Sequence, residues 1–169
     1  RLHVSRNFFG VKKVLFDASM NTRKMLHGDT IHGVESIEPD KSGTPLSYYH
    51  PTGPAGDVMK MMVDRPNQNV GVIGLGAGSL AAYANPGRHM TFFELDPQVI
   101  AIAQSLFTYL SRCAGNCAVV AGDGRLKVAE MPPAQLDFLI VDAFSSDSVP
   151  AHLVSREAVA VYVSRLKAD

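Results

Sequence analysis

Apolar and polar positions along the chain change period near residue 50. Before that point, Val11 to Phe16, Lys24 to Leu26 and Thr30 to Ile37 are short, partly alternating segments. The turn-formers Asp17-Ala18-Ser19, Gly28-Asp29 and Pro39-Asp40-Lys41-Ser42-Gly43 separate them. This pattern predicts a small antiparallel β unit over residues 1–50. Tyr48 to Pro54 is a junction rich in breakers. Ala55 to Val63 then predicts an amphipathic helix, with Val58, Met59, Met62 and Val63 on one side. From Asn69 onward strands and helices alternate. Strand Val70–Gly74 precedes helix Ser79–Ala84, and strand Met90–Leu95 precedes helix Pro97–Tyr109. Strand Cys117–Ala121 precedes a short helix around Leu126–Glu130. Strand Leu136–Val141 precedes a loop and helix Ser155–Leu166. Such alternation predicts an α/β domain over residues 51–169, a parallel sheet with helices on both faces. A sheet of this kind returns its last helix to a further strand. The chain stops at Asp169, so a fragment with a truncated sheet is expected. Strand 136–141 would then be an open edge, and a homodimer paired through it is one expected assembly.

Composition narrows the functional classes. With 46% apolar and 19% charged residues over 169 positions, the chain can bury a core. Sixteen basic and sixteen acidic residues balance, which gives no footprint for nucleic acid. No apolar run reaches the ~18–20 residues that span a bilayer. The first six residues lack the apolar core of a signal peptide. A cytoplasmic chain is expected, whose parent protein could still carry membrane segments. The two cysteines, Cys113 and Cys117, read first as reduced thiols beside a loop, with a local disulfide as the alternative. A metal site is disfavoured there, because no His/Cys cluster flanks them.

The chemistry concentrates at the ends of the strands. Residues 69–79 read Asn-Val-Gly-Val-Ile-Gly-Leu-Gly-Ala-Gly-Ser, a buried strand running into glycines at 74, 76 and 78. Glycine permits the tight turn and lets a ligand approach the backbone. The dinucleotide fingerprint requires Gly or Ala where Ser79 stands, so the loop points instead to an S-adenosylmethionine-type nucleoside. Ligands of parallel sheets sit beyond the carboxyl ends of the strands. There the sequence places Glu94 with Asp96, Asp123 with Gly124, and the stretch Asp142 to Asp147. Glu94 lies eighteen residues after Gly76 and suits a ribose diol. Asp96-Pro97 reads as a helix start. Asp123, between glycines, could accept an adenine amine or cap a turn. Asp142 and Asp147 suit binding a cation or taking a proton from an amine. Ser145 and Ser146 lack a nucleophile elbow. Tyr49 and His50 sit at the junction, where clefts commonly form. His27 and His32 are weakly spaced for a metal.

Together, Leu-Gly-Ala-Gly-Ser, Phe-Glu-Leu-Asp-Pro, Gly-Asp-Gly-Arg-Leu, Val-Asp-Ala-Phe-Ser-Ser-Asp and Tyr-Tyr-His resemble the spermidine synthase family of aminopropyltransferases. The resemblance covers roughly residues 12–167 and is nearest to bacterial spermidine-synthase-like domains. It implies a small β domain followed by a Rossmann-like, methyltransferase-type domain. It also implies transfer of an aminopropyl group from decarboxylated S-adenosylmethionine to an amine, releasing methylthioadenosine without a metal. By motif match, Gly74, Gly76 and Gly78 would face the nucleoside and the donor's tail. Glu94 would bind the ribose, and Asp123 with Gly124 the adenine. Asp142 would approach the donor's ammonium. Asp147 would help deprotonate the attacking amine with Tyr49 assisting, and His50 would line the cleft.

Three positions depart from the family pattern, all on the amine side. Tyr-His-Glu becomes Tyr-His-Pro at Pro51. The Gln of Asp-Gly-x-x-Gln becomes Ile31 or, one residue on, His32. The acidic loop holds two extra residues between Asp142 and Asp147. Two alternatives therefore accompany the transferase reading: a methyltransferase-like enzyme using intact S-adenosylmethionine, and a non-catalytic nucleoside or polyamine sensor. Asp142 argues against the first, because it would repel the carboxylate of the intact donor.

Overall fold

A computed structural model describes residues 2–62, 66–144 and 148–168. Its N-terminal part is an antiparallel meander of β1 (His3–Asn7), β2 (Gly10–Asp17), β3 (Thr22–His27) and β4 (Thr30–Ser36), adjacent in that order. Three of these strands match the predicted segments. β1 was not foreseen, because Val4 is its only aliphatic residue; pairing with β2 makes it a strand. The β3–β4 ladder slips between Met25 and Leu26: Met25 faces Gly33 while Leu26 faces Ile31. His32 is the extra residue of that bulge.

After α1 (Pro54–Lys60), the chain builds a parallel sheet from β5 (Asn69–Ile73), β6 (His89–Glu94), β7 (Asn116–Ala121) and β8 (Phe138–Val141). Their order is β7-β6-β5-β8. The connecting helices are α2 (Pro97–Leu106) and α3 (Gly124–Ala129), and α4 (Ala151–Val154) and α5 (Arg156–Arg165) follow β8. Alternate strand residues serve opposite faces. Val70, Val72, Met90 and Phe92 join Met59, Leu80, Ile102 and Ala103 in one core. Ile73 and Phe93 join Val128, Leu153, Ala158 and Tyr162 in the other. The sheet thus carries helices on both faces, as the alternation of elements requires.

Several predicted boundaries move, each for a physical reason. The helix expected at 79–84 is a 3₁₀ turn, Ser79–Tyr83, cut short before Asn85-Pro86. α2 ends at Leu106 rather than Tyr109, because the following loop docks on the meander. There the Tyr109 hydroxyl donates to the Val34 carbonyl at 2.7 Å, and the Thr108 amide donates to Glu35 at 3.2 Å. Leu136 leaves the predicted strand and bridges Leu166 instead. Val63, expected to end α1, lies outside the described residues. Cys113 and Cys117 are joined in a disulfide, which corrects the expectation of reduced thiols. The turn between them brings their Cα atoms to 6.2 Å, within bridging range. Gly115 allows that turn, since a β-carbon there would lie 2.4 Å from the Arg88 carbonyl. Among the described residues, no helix is long and apolar enough to cross a membrane.

Candidate functional site

The two sheets enclose a cavity of about 370 Å³. Its floor is the carboxyl edge of the parallel sheet, including Gly74, Gly76, Glu94, Asp96, Asp123, Gly124 and Asp142. Its roof is the inner face of the meander, with Phe9, Lys12, Met25, His27 and His32.

Close approach of neighbouring backbone explains two glycines of the loop. Gly74 has φ +101°, and a β-carbon on it would lie 2.4 Å from the Asp142 carbonyl. Gly76 has φ +53°, and a β-carbon there would lie 2.4 Å from the His32 carbonyl. The loop is therefore wedged between the end of β8 and the bulge of β4. Gly78 sits behind it against Leu110, outside the cavity lining.

Glu94 ends β6 with both oxygens already oriented. One accepts the Leu75 amide at 3.0 Å and the other the Asp96 amide at 2.9 Å. Burial nevertheless raises its carboxyl above the usual range. Each oxygen retains a lone pair, so a diol could still donate to both. Asp96 caps α2 by accepting the Gln98 amide at 2.9 Å, and also accepts from Asn7 at 2.7 Å. It forms a buried ion pair with Lys12. Burial alone would raise the Asp96 carboxyl, but Lys12 and these donors outweigh it and hold it low. The pair links roof to floor.

Asp123 caps α3 through the Leu126 amide at 3.1 Å, and its other oxygen lies 3.0 Å from His152 Nε2. Asp123 therefore has the capping role and also lines the cavity. Asp142 accepts the Tyr49 hydroxyl at 2.7 Å. Burial raises the Asp142 carboxyl, and the Tyr49 bond partly offsets this. Burial and the neighbouring Asp142 drive the Tyr49 phenol far above its ordinary value, so it keeps its proton. Beyond this pair lies a second cavity of about 360 Å³, mostly apolar, lined by Tyr48, Ala55, Val58, Met59, Leu80 and Ile140. Asp142 lines both cavities. His50 lines neither; its Nδ1 lies 2.8 Å from the Thr52 hydroxyl. Asp147, with Ser145 and Ser146, lies outside the described residues.

Sequence reasoning did not single out Lys12, Phe9 or His152. Lys12 lies on an alternating strand, but only the folded meander turns it toward Asp96. His152 carries no local motif; α4 brings it to Asp123. His27 and His32 stand with ring centroids 5.7 Å apart. No group of three or more metal-capable side chains forms among the described residues.

A parallel sheet whose strand ends carry a glycine loop and successive acids, roofed by a small β meander, defines an α/β protein of the methyltransferase-like fold. Comparison with known proteins sharpens this class. No family model matches the chain. A polyamine aminopropyltransferase of Vibrio vulnificus is 37% identical over 91 residues, which is 51% of this chain and 30% of that protein. A probable spermidine synthase from Corynebacterium glutamicum superposes with a TM-score of 0.77 at 16% identity, over 97% of this chain and 60% of its own. A spermidine synthase solved with the transition-state analogue AdoDATO gives 0.66 at 14% identity, over 98% of this chain and 54% of its own. Over the matched half the chain is similar to a polyamine aminopropyltransferase, and over nearly its whole length it shares the fold of spermidine synthases. It spans 30% of the curated relative and no more than 60% of these solved chains.

Proposed function

We propose that the chain is the nucleoside-binding part of an aminopropyltransferase, taking decarboxylated S-adenosylmethionine and an amine and releasing methylthioadenosine. The carrying observation is the Tyr49–Asp142 bond at the boundary of two cavities. One cavity is lined by strand-end acids suited to a cationic nucleoside. In this reading the other takes the attacking amine. In this reading Glu94 accepts the ribose hydroxyls, Asp123 the adenine amine, and Gly74 and Gly76 keep the backbone clear of the donor's tail. Asp142 pairs with its ammonium.

The new bond forms from the amine nitrogen to the carbon beside the sulfonium. The carbon–sulfur bond breaks in line, and its electron pair stays on sulfur as a thioether. The attacking nitrogen must first be neutral, so a base takes its proton. Asp147 is assigned that role by resemblance. Tyr49 keeps its own proton and acts by holding Asp142. The protein's main contribution is then orientation of two reactants across the Asp142 boundary. No metal is assigned a step, since the sulfonium already carries its leaving group.

Mass spectrometry of products from the decarboxylated donor with a panel of mono-, di- and polyamines tests the reading. An amine heavier by one aminopropyl group, with methylthioadenosine released, is expected. Nucleoside binding without transfer to any amine would favour the non-catalytic sensor.

A further inference from the structure

The cavity beyond the Tyr49–Asp142 bond differs in chemistry from the one in front of it. Its wall is built by Val58 and Met59 of α1, Leu80 of the 3₁₀ turn and Ile140 of β8. Met59 and Leu80 are buried core residues, so packing fixes the inner side. Among the described residues Asp142 is the only charged group in the lining, and it stands at the boundary with the other cavity. The charges of α1 turn elsewhere: Asp57 and Lys60 pair with each other at 3.5 Å, and neither lines the cavity. Tyr48 and Val58, both exposed, mark the open side. The volume of about 360 Å³ is that of a small-molecule site. One end is thus polar and anionic, and the rest is apolar.

We propose that the acceptor is a primary monoamine with an apolar body, an alkylamine or arylalkylamine, rather than a diamine. The inference rests on the transferase reading above and names the amine that reading leaves open. The attacking nitrogen lies at the polar end, where Asp142 and the Tyr49 oxygen can accept its N–H groups. The rest of the molecule extends along Val58, Met59, Leu80 and Ile140. An alkyl chain gains there by leaving water, about threefold to fourfold in affinity per buried methylene. A second ammonium would meet no counter-charge among the described lining residues. It would lie unpaired against an apolar wall or give up its proton, and both are unfavourable. Transfer forms the bond from the amine nitrogen to the donor's aminopropyl carbon. It breaks the carbon–sulfur bond, whose electron pair stays on sulfur, and the nitrogen's surplus proton goes to the base. The products are an N-substituted diaminopropane and methylthioadenosine.

Steady-state transfer from decarboxylated S-adenosylmethionine to butylamine and hexylamine, each against the diamine of the same length, tests the class. Short amines are the decisive probes, because a longer diamine would carry its second ammonium past Tyr48 and Val58 into water. For each monoamine kcat/KM should exceed that of its diamine by about tenfold or more. From butylamine to hexylamine it should rise about threefold per methylene. Val58→Glu places a carboxylate in the wall and should move the ratio by about tenfold toward the diamines. Val58→Gln, polar but uncharged, should keep the wild-type order. The wild-type comparison stands if the glutamate variant does not fold. Equal rates or a preference for the diamine in the wild-type protein would overturn the inference and leave the transferase reading intact. An unchanged ratio in a folded Val58→Glu protein would place the amine outside this cavity and overturn it as well. No transfer to either series, with methylthioadenosine still bound, would remove the transferase reading and this inference together.

Discussion

The cavity floor takes its polar groups from strand ends, each within a few residues of a buried apolar run; the roof takes Lys12 and His32 from strand interiors. On the floor, Glu94 and Asp123 are held by amides close in the chain or in the adjacent loop: Leu75, Asp96 and Leu126. Their geometry is set before any ligand arrives, which is how a site avoids the cost of ordering itself on binding. On the roof, Lys12 is placed by an ion pair to Asp96, eighty-four positions away, and His32 by a slip in strand register. The lesson is a division of labour. Glu94 and Asp123 should matter for every nucleoside, whereas the roof and the boundary residue Asp142 should matter only for what hangs from it.

The largest effect should come from the floor. Glu94→Ala removes the acceptor proposed for both ribose hydroxyls and frees the Leu75 amide. It should cost about a hundredfold or more in affinity for methylthioadenosine, decarboxylated and intact S-adenosylmethionine alike, by calorimetry. Retained binding would place the ribose elsewhere and break the comparison.

Asp142→Asn comes next and should be selective. Removing that charge should cost about tenfold for the decarboxylated donor and leave methylthioadenosine nearly unchanged. Intact S-adenosylmethionine should bind no worse, because its carboxylate is no longer opposed. If the wild-type protein holds intact and decarboxylated donors with equal affinity, the role given to Asp142 is wrong.

A smaller effect, with a pH signature, should follow Tyr49→Phe. Burial has already raised the Asp142 carboxyl, and Tyr49 is the group that lowers it. Losing the 2.7 Å bond should push it further up. Lowering pH through that raised value neutralises Asp142, so affinity for the cationic donor should fall relative to uncharged methylthioadenosine. The fall should begin at higher pH in the phenylalanine variant. At neutral pH the loss should be only a few-fold, about the worth of one ordinary hydrogen bond. Superimposable pH profiles would show that Tyr49 does not tune Asp142.

The smallest effect on binding should come from reducing the disulfide. It closes a short loop at the start of β7, the opposite end of the strand from the cavity. Chain entropy puts its contribution near about 2 kcal/mol, so the melting midpoint should drop by several degrees. Methylthioadenosine affinity should stay the same. A loss of affinity on reduction would mean that the two ends of the sheet are coupled.

Much of the floor was legible because its signals are local. Glycines follow a buried apolar run, Asp96 precedes Pro97, and acids stand where alternation places strand ends. The roof was less legible. β1 has too few apolar residues to show alternation, and the slip at Met25–Leu26 leaves no trace in composition. Phe9, in the turn between β1 and β2, carries no local motif, yet it lines the cavity. His152 meets Asp123 only because α4 folds back across the sheet edge.

The amino-acid sequence alone determined the order of elements, the parallel sheet and the acids at its carboxyl edge. Those follow from periodicity and from residues adjacent in the chain, where short-range sterics and hydrogen bonding decide the outcome. The tertiary structure decided the disulfide, the Lys12–Asp96 link, the Tyr49–Asp142 boundary and the entry of His32. Each depends on bringing together segments whose distance no local pattern encodes, through burial and register in the packed state.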